Sequence, residues 1–162
     1  MHDDPYAPPR TDAPVDPHAG MDSADLFIES LPPPVLKAAG LSWLASGAIA
    51  SLLLVRLLLN VEQNAFAGLL EAGQLILALG SFAVGVGLLR GYPALAVVGF
   101  VLAPFTFGSS VFALLTGSIA GLAGISVSGL AVLLTLVSWK ALGKVSAARV
   151  ALARMRGAHP GV

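Results

Sequence analysis

The chain has 162 residues, 56% of them hydrophobic and only 11% charged, with a mean hydropathy of +0.85. Soluble domains carry about 25% charged residues, so this composition excludes an ordinary water-soluble fold. The absence of cysteine excludes disulfides, thiolate metal sites and covalent haem attachment.

Net charge is zero, but the charges are segregated. Residues 1–30 hold seven acids against one base, Arg10, and residues 1–34 hold eight of the eleven prolines. Too little apolar surface is present there to offset ordering entropy, so residues 1–34 are expected to form a disordered, acidic, Pro-rich tail. Pro5 and Pro8, like Pro14 and Pro17, have P-x-x-P spacing, a common pattern in any such tail. The Asp/Pro-rich start lacks a basic segment followed by an apolar one, so no signal peptide is expected. Residues 22–31 stand apart. An Asp or Ser cap before a clustered apolar face predicts either a short helix, stopped by Pro32, Pro33 and Pro34, or an apolar patch within a linker.

A helix needs about 20 apolar residues to cross a hydrocarbon layer of roughly 30 Å. Residues 38–55 and 72–89 are uncharged runs of 18 each, and residues 91–139 form an uncharged run of 49. The first two runs predict one span each, about 35–59 and 66–89. The third is long enough for two spans with a turn, about 94–115 and 119–139. Pro93 suits the first turn of the third span. Pro104 lies inside that span and is expected to kink it, with Thr106 able to re-satisfy the freed carbonyl. Connections near residues 60–65, 90–93 and 116–118 are short, which forces sequential helices to pack as antiparallel neighbours. The expected fold is an all-α membrane protein, an antiparallel bundle of four transmembrane helices, followed by a basic tail over residues 140–162.

Positive charge sets the expected orientation. With both termini cytoplasmic, the inside segments hold Arg10, Lys37, Arg90 and the five C-terminal bases, and the outside holds only Arg56. Trp43, Tyr92 and Trp139 fall near that same face, where interfacial aromatics are expected. Arg is twice as frequent as Lys in an Ala- and Gly-rich chain, which points to a bacterial gene of high GC content and a multi-pass inner-membrane protein.

Arg56 and Glu71 are the charges set inside spans, at equal distances from the centre of the first loop. On antiparallel helices equal offsets mean equal depth. Arg56 continues a weakly polar stripe through Ala39, Ser42, Ser46, Ile49 and Leu53, and Glu71 begins one through Gln74, Ala78, Ser81 and Gly85. An unpaired charge in hydrocarbon is costly, so Arg56 and Glu71 are expected to form an ion pair that pins the first hairpin. The competing reading is an ion or proton site built on Glu71, modulated by Arg56 and Gln74.

Small residues form the other pattern. Gly73, Gly80 and Gly87 recur every seven residues on the second span, and Gly117, Gly121, Gly124, Ser128, Ala131, Thr135 and Ser138 form a stripe on the fourth. Such stripes let helix backbones approach closely in lipid, and a helix-packing role is expected for them, within one chain or between subunits. The glycines at 80, 85 and 87 have no G-x-G-x-x-G arrangement and lie in a span, so they are not a nucleotide loop. The bases of residues 140–156 do not gather on one face of a helical wheel. They are expected to set topology, and they also suit anionic headgroups.

The three histidines, His2, His18 and His159, all lie in the tails. No Ser–His dyad, bis-histidine haem site or His/carboxylate metal site is therefore available within the bundle, and no cofactor and no enzymatic activity are expected. The expected function is that of a non-catalytic accessory, scaffold or assembly protein acting through helix–helix contacts and its cytoplasmic tails. Its expected partners are membrane lipids and a membrane protein or further copies of itself, with no nucleic acid. The alternative is a small oligomeric channel or transporter using Glu71, Gln74 and neighbouring serines.

Overall fold

The structure, a computed structural model, describes residues 20–60 and 65–158. The first 19 residues, the first loop over 61–64 and residues 159–162 lie outside that description. The elements are α1 (Ser23–Glu29), α2 (Pro34–Asn60), α3 (Ala65–Leu89), α4 (Pro93–Leu115) and α5 (Ile119–Ala158). α2 to α5 each contain a segment long and apolar enough to cross a membrane, and the chain is a multi-pass membrane protein with an all-α, antiparallel four-helix bundle. Two ends can be distinguished. The tail end carries the start of α2, the α3–α4 turn and the far part of α5; the loop end carries the end of α2, the start of α3 and the α4–α5 turn.

The bundle is inside-out relative to a soluble one. Outward-facing side chains include Leu52, Leu69, Ile76, Val101, Phe105 and Val137, whereas much of the interior is Ala39, Ala50, Ala78, Ala96, Ala131, Ser46, Ser81, Ser128, Thr135 and Ser138. In lipid, apolar surface gains nothing by burial against other apolar surface, so small inner residues that permit close backbone approach hold the helices together. The largest of the fully buried side chains is Trp43 of α2, which lies where all four spans meet. Its indole Nε1 donates to Thr135 Oγ1 on α5 (3.0 Å), and that hydroxyl donates to Ala131 O (2.7 Å). The ring occupies space left open by Gly99 of α4, where an added Cβ would meet Trp43 Cζ2 and Val84 Cγ1 at 3.1 Å. Trp43 is thus a core residue and not an interfacial aromatic; Tyr92 and Trp139 remain about half exposed.

Close glycine contacts set the register of α2 on α3. A Cβ on Gly40 would lie 2.9 Å from the Gly85 carbonyl oxygen, and one on Gly47 would lie 3.2 Å from that of Ala78. On the other flank of α3, Gly80 and Gly87 receive Leu102 and Leu95 of α4. α4 runs unbroken through Pro104. Thr106 donates to Ala103 O (2.9 Å) and not to Phe100 O, the carbonyl that lacks its usual donor at Pro104. Tight turns at Gly91 (φ +70°) and Gly117 (φ +80°) close the second and third connections, in a region that glycine enters without a Cβ penalty.

At the tail end the segment 22–31 takes the first of its two expected forms, a short helix: α1 spans Ser23–Glu29, Asp22 caps it by accepting from Ser23 N–H (2.6 Å), and Leu26 is fully buried. α5 runs on past the span end expected near Trp139 as one helix of 40 residues. The part beyond the span, about 28 Å at 1.5 Å per residue, carries Leu142, Val145 and Ala148 buried on its inner side, and α1 packs against α5.

Candidate functional site

Three constellations were singled out in the sequence or emerge from the fold: the charged pair of the first hairpin, the small-residue stripes, and the tail-end helices.

Arg56 and Glu71 are not brought together. The register fixed by Gly40 with Gly85 and Gly47 with Ala78 places Glu71 level with Leu54, so Arg56 lies about 3 Å nearer the loop end. Depth is thus nearly matched, but direction is not. Gly47 faces α3, and Arg56, nine positions later, lies about two and a half turns on, which aims it to the opposite side of α2. There it is exposed, and its Nη2 donates to Thr116 O at the α4–α5 turn (3.4 Å). Glu71 is partly buried at the α2–α3 seam, and its Oε1 is buried with no hydrogen-bond partner among the described residues. Gln74, one turn along, is buried and donates Nε2 to Ala50 O across the same seam (3.2 Å). Only the α3 stripe faces α2 as expected; the Arg56 stripe turns toward α5, where Ile49 approaches Gly124.

The small-residue stripes are mostly spent within the chain. Gly121 and Gly124 are buried against Ser110 and Leu114 of α4, and Ser128, Ala131, Thr135 and Ser138 are all buried. Gly117 belongs to the turn and meets nothing within 4 Å. Of the second-span series, Gly80 and Gly87 pack on α4, whereas Gly73 is exposed with nothing within 4 Å. The inner hydroxyls bond largely to their own helices: Ser110 to Thr106 O (2.8 Å), Ser128 to Gly124 O (2.6 Å), Ser138 to Thr135 O (3.1 Å). Ser81 is the exception, fully buried with an Oγ that has no partner among the described residues.

At the tail end one residue joins three elements. Arg149 of α5 donates Nε and Nη2 to Ser30 O at the end of α1 (3.3 Å each) and Nη1 to Arg90 O at the α3–α4 turn. Its guanidinium also lies 5.9 Å from the centre of the Tyr92 ring, within cation–π range. Gly91 makes room for this: a Cβ there would lie 2.9 Å from Val145 and 3.1 Å from Arg149 Nη2. Arg149 therefore clasps α1, the turn and α5 into one body. In the sequence it is one of five similar bases, and nothing in the spacing separates it from Lys144 or Arg154. What surrounds the clasp is mixed in character, with Asp22, Asp25 and Glu29 exposed beside exposed Phe27, Ile28 and Leu31.

No group of three or more metal-ligating side chains occurs among the described residues. Compared with known proteins, the chain matches no family model, no curated protein and no solved structure.

Proposed function

We propose that this chain is a non-catalytic scaffold or assembly protein of a bacterial inner membrane, with both tails in the cytoplasm and its working face at the tail end. The observation that carries this reading is the Arg149 clasp, which holds α1 and the far part of α5 as an ordered platform outside the bundle. A helix of 7 residues has little intrinsic stability, so α1 owes its order to that packing. The exposed Phe27, Ile28 and Leu31 among Asp22, Asp25 and Glu29 offer an apolar strip rimmed by negative charge. That surface suits a helix of a membrane-protein partner with an apolar face and basic flanks. Lys140 and Lys144, exposed on α5 just past the span, suit anionic headgroups at about 1 kcal/mol each. The bias of bases toward this end supports its cytoplasmic placement.

The second reading, a small oligomeric channel or transporter, has one observation in its favour: the unpartnered Oε1 of Glu71. Against it, the Trp43 ring fills the middle of the bundle and most inner hydroxyls bond to their own helices.

Photo-crosslinking in living cells separates the two. A photoreactive residue at Ile28 is expected to give discrete protein adducts, whereas one at Val137, exposed on the span of α5, gives none of the same mass. Arg149→Gln is expected to diminish the Ile28 adducts by releasing α1. Absence of adducts at both Phe27 and Ile28, together with a cation flux in liposomes that Glu71→Gln removes, would replace the scaffold by the transporter.

A further inference from the structure

Glu71 poses a geometric question that the described residues of a single chain do not answer. Glu71 has a buried carboxylate oxygen without a partner among the described residues, and Arg56 lies at nearly its depth but on the far side of α2. Between them lies the exposed face of α2, formed by Leu41, Ala45, Ala48 and Leu52. Arg56 borders that face on the α5 side, where it reaches Thr116 O, and Glu71 borders it on the α3 side.

We propose that two copies of this chain pair in parallel through this face of α2, with Arg56 of each copy against Glu71 of the other. Copies inserted by the same charge rule share one orientation, so the two-fold axis of an isologous pair runs along the membrane normal. Rotation about that axis leaves every residue at its own depth. It also exchanges the two flanks of the face, so that the Arg56 edge of one copy meets the Glu71 edge of the other. The contact is therefore made twice, and the depth offset of about 3 Å is well within the reach of an arginine side chain. Ala45 and Ala48, small and exposed at the middle of the face, let the two α2 helices approach closely. A guanidinium has five N–H donors, so the bond to Thr116 O and a carboxylate partner are compatible. An intramembrane carboxylate without a counter-charge is costly, and pairing across copies removes that cost. The pairing uses α2 and α3 alone and is independent of what the tail-end platform recruits.

The cysteine-free sequence makes the test direct. Ala48→Cys in the full-length chain, oxidised in native membrane vesicles, is expected to run mainly as a disulfide-linked dimer, whereas Val137→Cys on α5 stays monomeric. In the Ala48→Cys background, Arg56→Glu and Glu71→Arg each set like charges against each other, and dimer yield should fall about tenfold or more. Co-expression of the two single-charge variants is expected to restore the dimer. The acid introduced at 56 then meets the base introduced at 71 in the other copy, and the native Arg56 and Glu71 meet across the second contact. A pair made within one chain is not rescued by such mixing. A monomeric Ala48→Cys protein with native charges overturns the proposal, as does a dimer whose yield neither charge reversal changes, or a mixture that remains monomeric.

Discussion

Replacing Trp43 by alanine is expected to destabilise the bundle by about 3–5 kcal/mol, the largest single-residue effect in the molecule. The indole is fully buried where α2, α3, α4 and α5 converge, in space that Gly99 leaves free. Its removal forfeits packing contacts with Val84 and Gly99 and leaves a cavity that four helices fixed by other close contacts cannot collapse to fill. In a bundle embedded in lipid, these packing contacts are the main cohesive term, because apolar transfer no longer favours the interior. Trp43→Phe separates the contributions. It keeps most of the volume but loses the donation to Thr135, and is expected to cost only about 1 kcal/mol from that bond. Denaturation in mixed detergent micelles, followed by helical circular dichroism, reads both. Equal costs for the two substitutions would show that the hydrogen bond, and not the packing, holds the four helices together.

Gly85→Leu is the second large effect, expected to cost about 1–3 kcal/mol or more by overpacking. The first atom of any side chain at this position meets the Gly40 carbonyl oxygen at 2.8 Å, and a backbone carbonyl cannot swing aside as a side chain does. α2 and α3 must separate, which also stretches the Gln74 to Ala50 bond across the same seam. The control lies on the same helix. Gly73→Leu makes the same chemical change where nothing lies within 4 Å, and should be close to neutral. The same denaturation experiment checks the pair, and comparable losses at 73 and 85 would remove the proposed register.

Four spans were legible because charge is excluded from them. The uncharged runs and Pro93 locate α2, α3 and α4 to within a residue of their bounds. The α5 stripe was legible as packing from Gly121 to Ser138, all of whose members are buried, but not at Gly117, which serves the turn. The azimuth of Arg56 was not. Counting from a loop gives a residue's height, but which side of α2 faces α3 depends on Gly40 and Gly47 meeting Gly85 and Ala78, and no feature of the sequence ranks those glycines above Gly73. Trp43 was misleading for a related reason. Its place near the start of a span matches an interfacial aromatic, and only the partner helix, through Gly99, shows that an indole fits inside. Arg149 was hidden because its role depends on two carbonyls, at Ser30 and Arg90, that are distant in sequence and meet only in the fold.

The chain crosses the membrane four times, which sets its clasped helices on one side and the α4–α5 turn on the other. Single cysteines introduced into the cysteine-free chain, labelled by a membrane-impermeant maleimide in intact cells and in inverted vesicles, measure this directly. Ile28→Cys on α1 and Met155→Cys near the end of α5 are expected to react only in inverted vesicles. Thr116→Cys, exposed at the α4–α5 turn, is expected to react only in intact cells. Labelling of position 28 or 155 from the same side as position 116 would contradict the account.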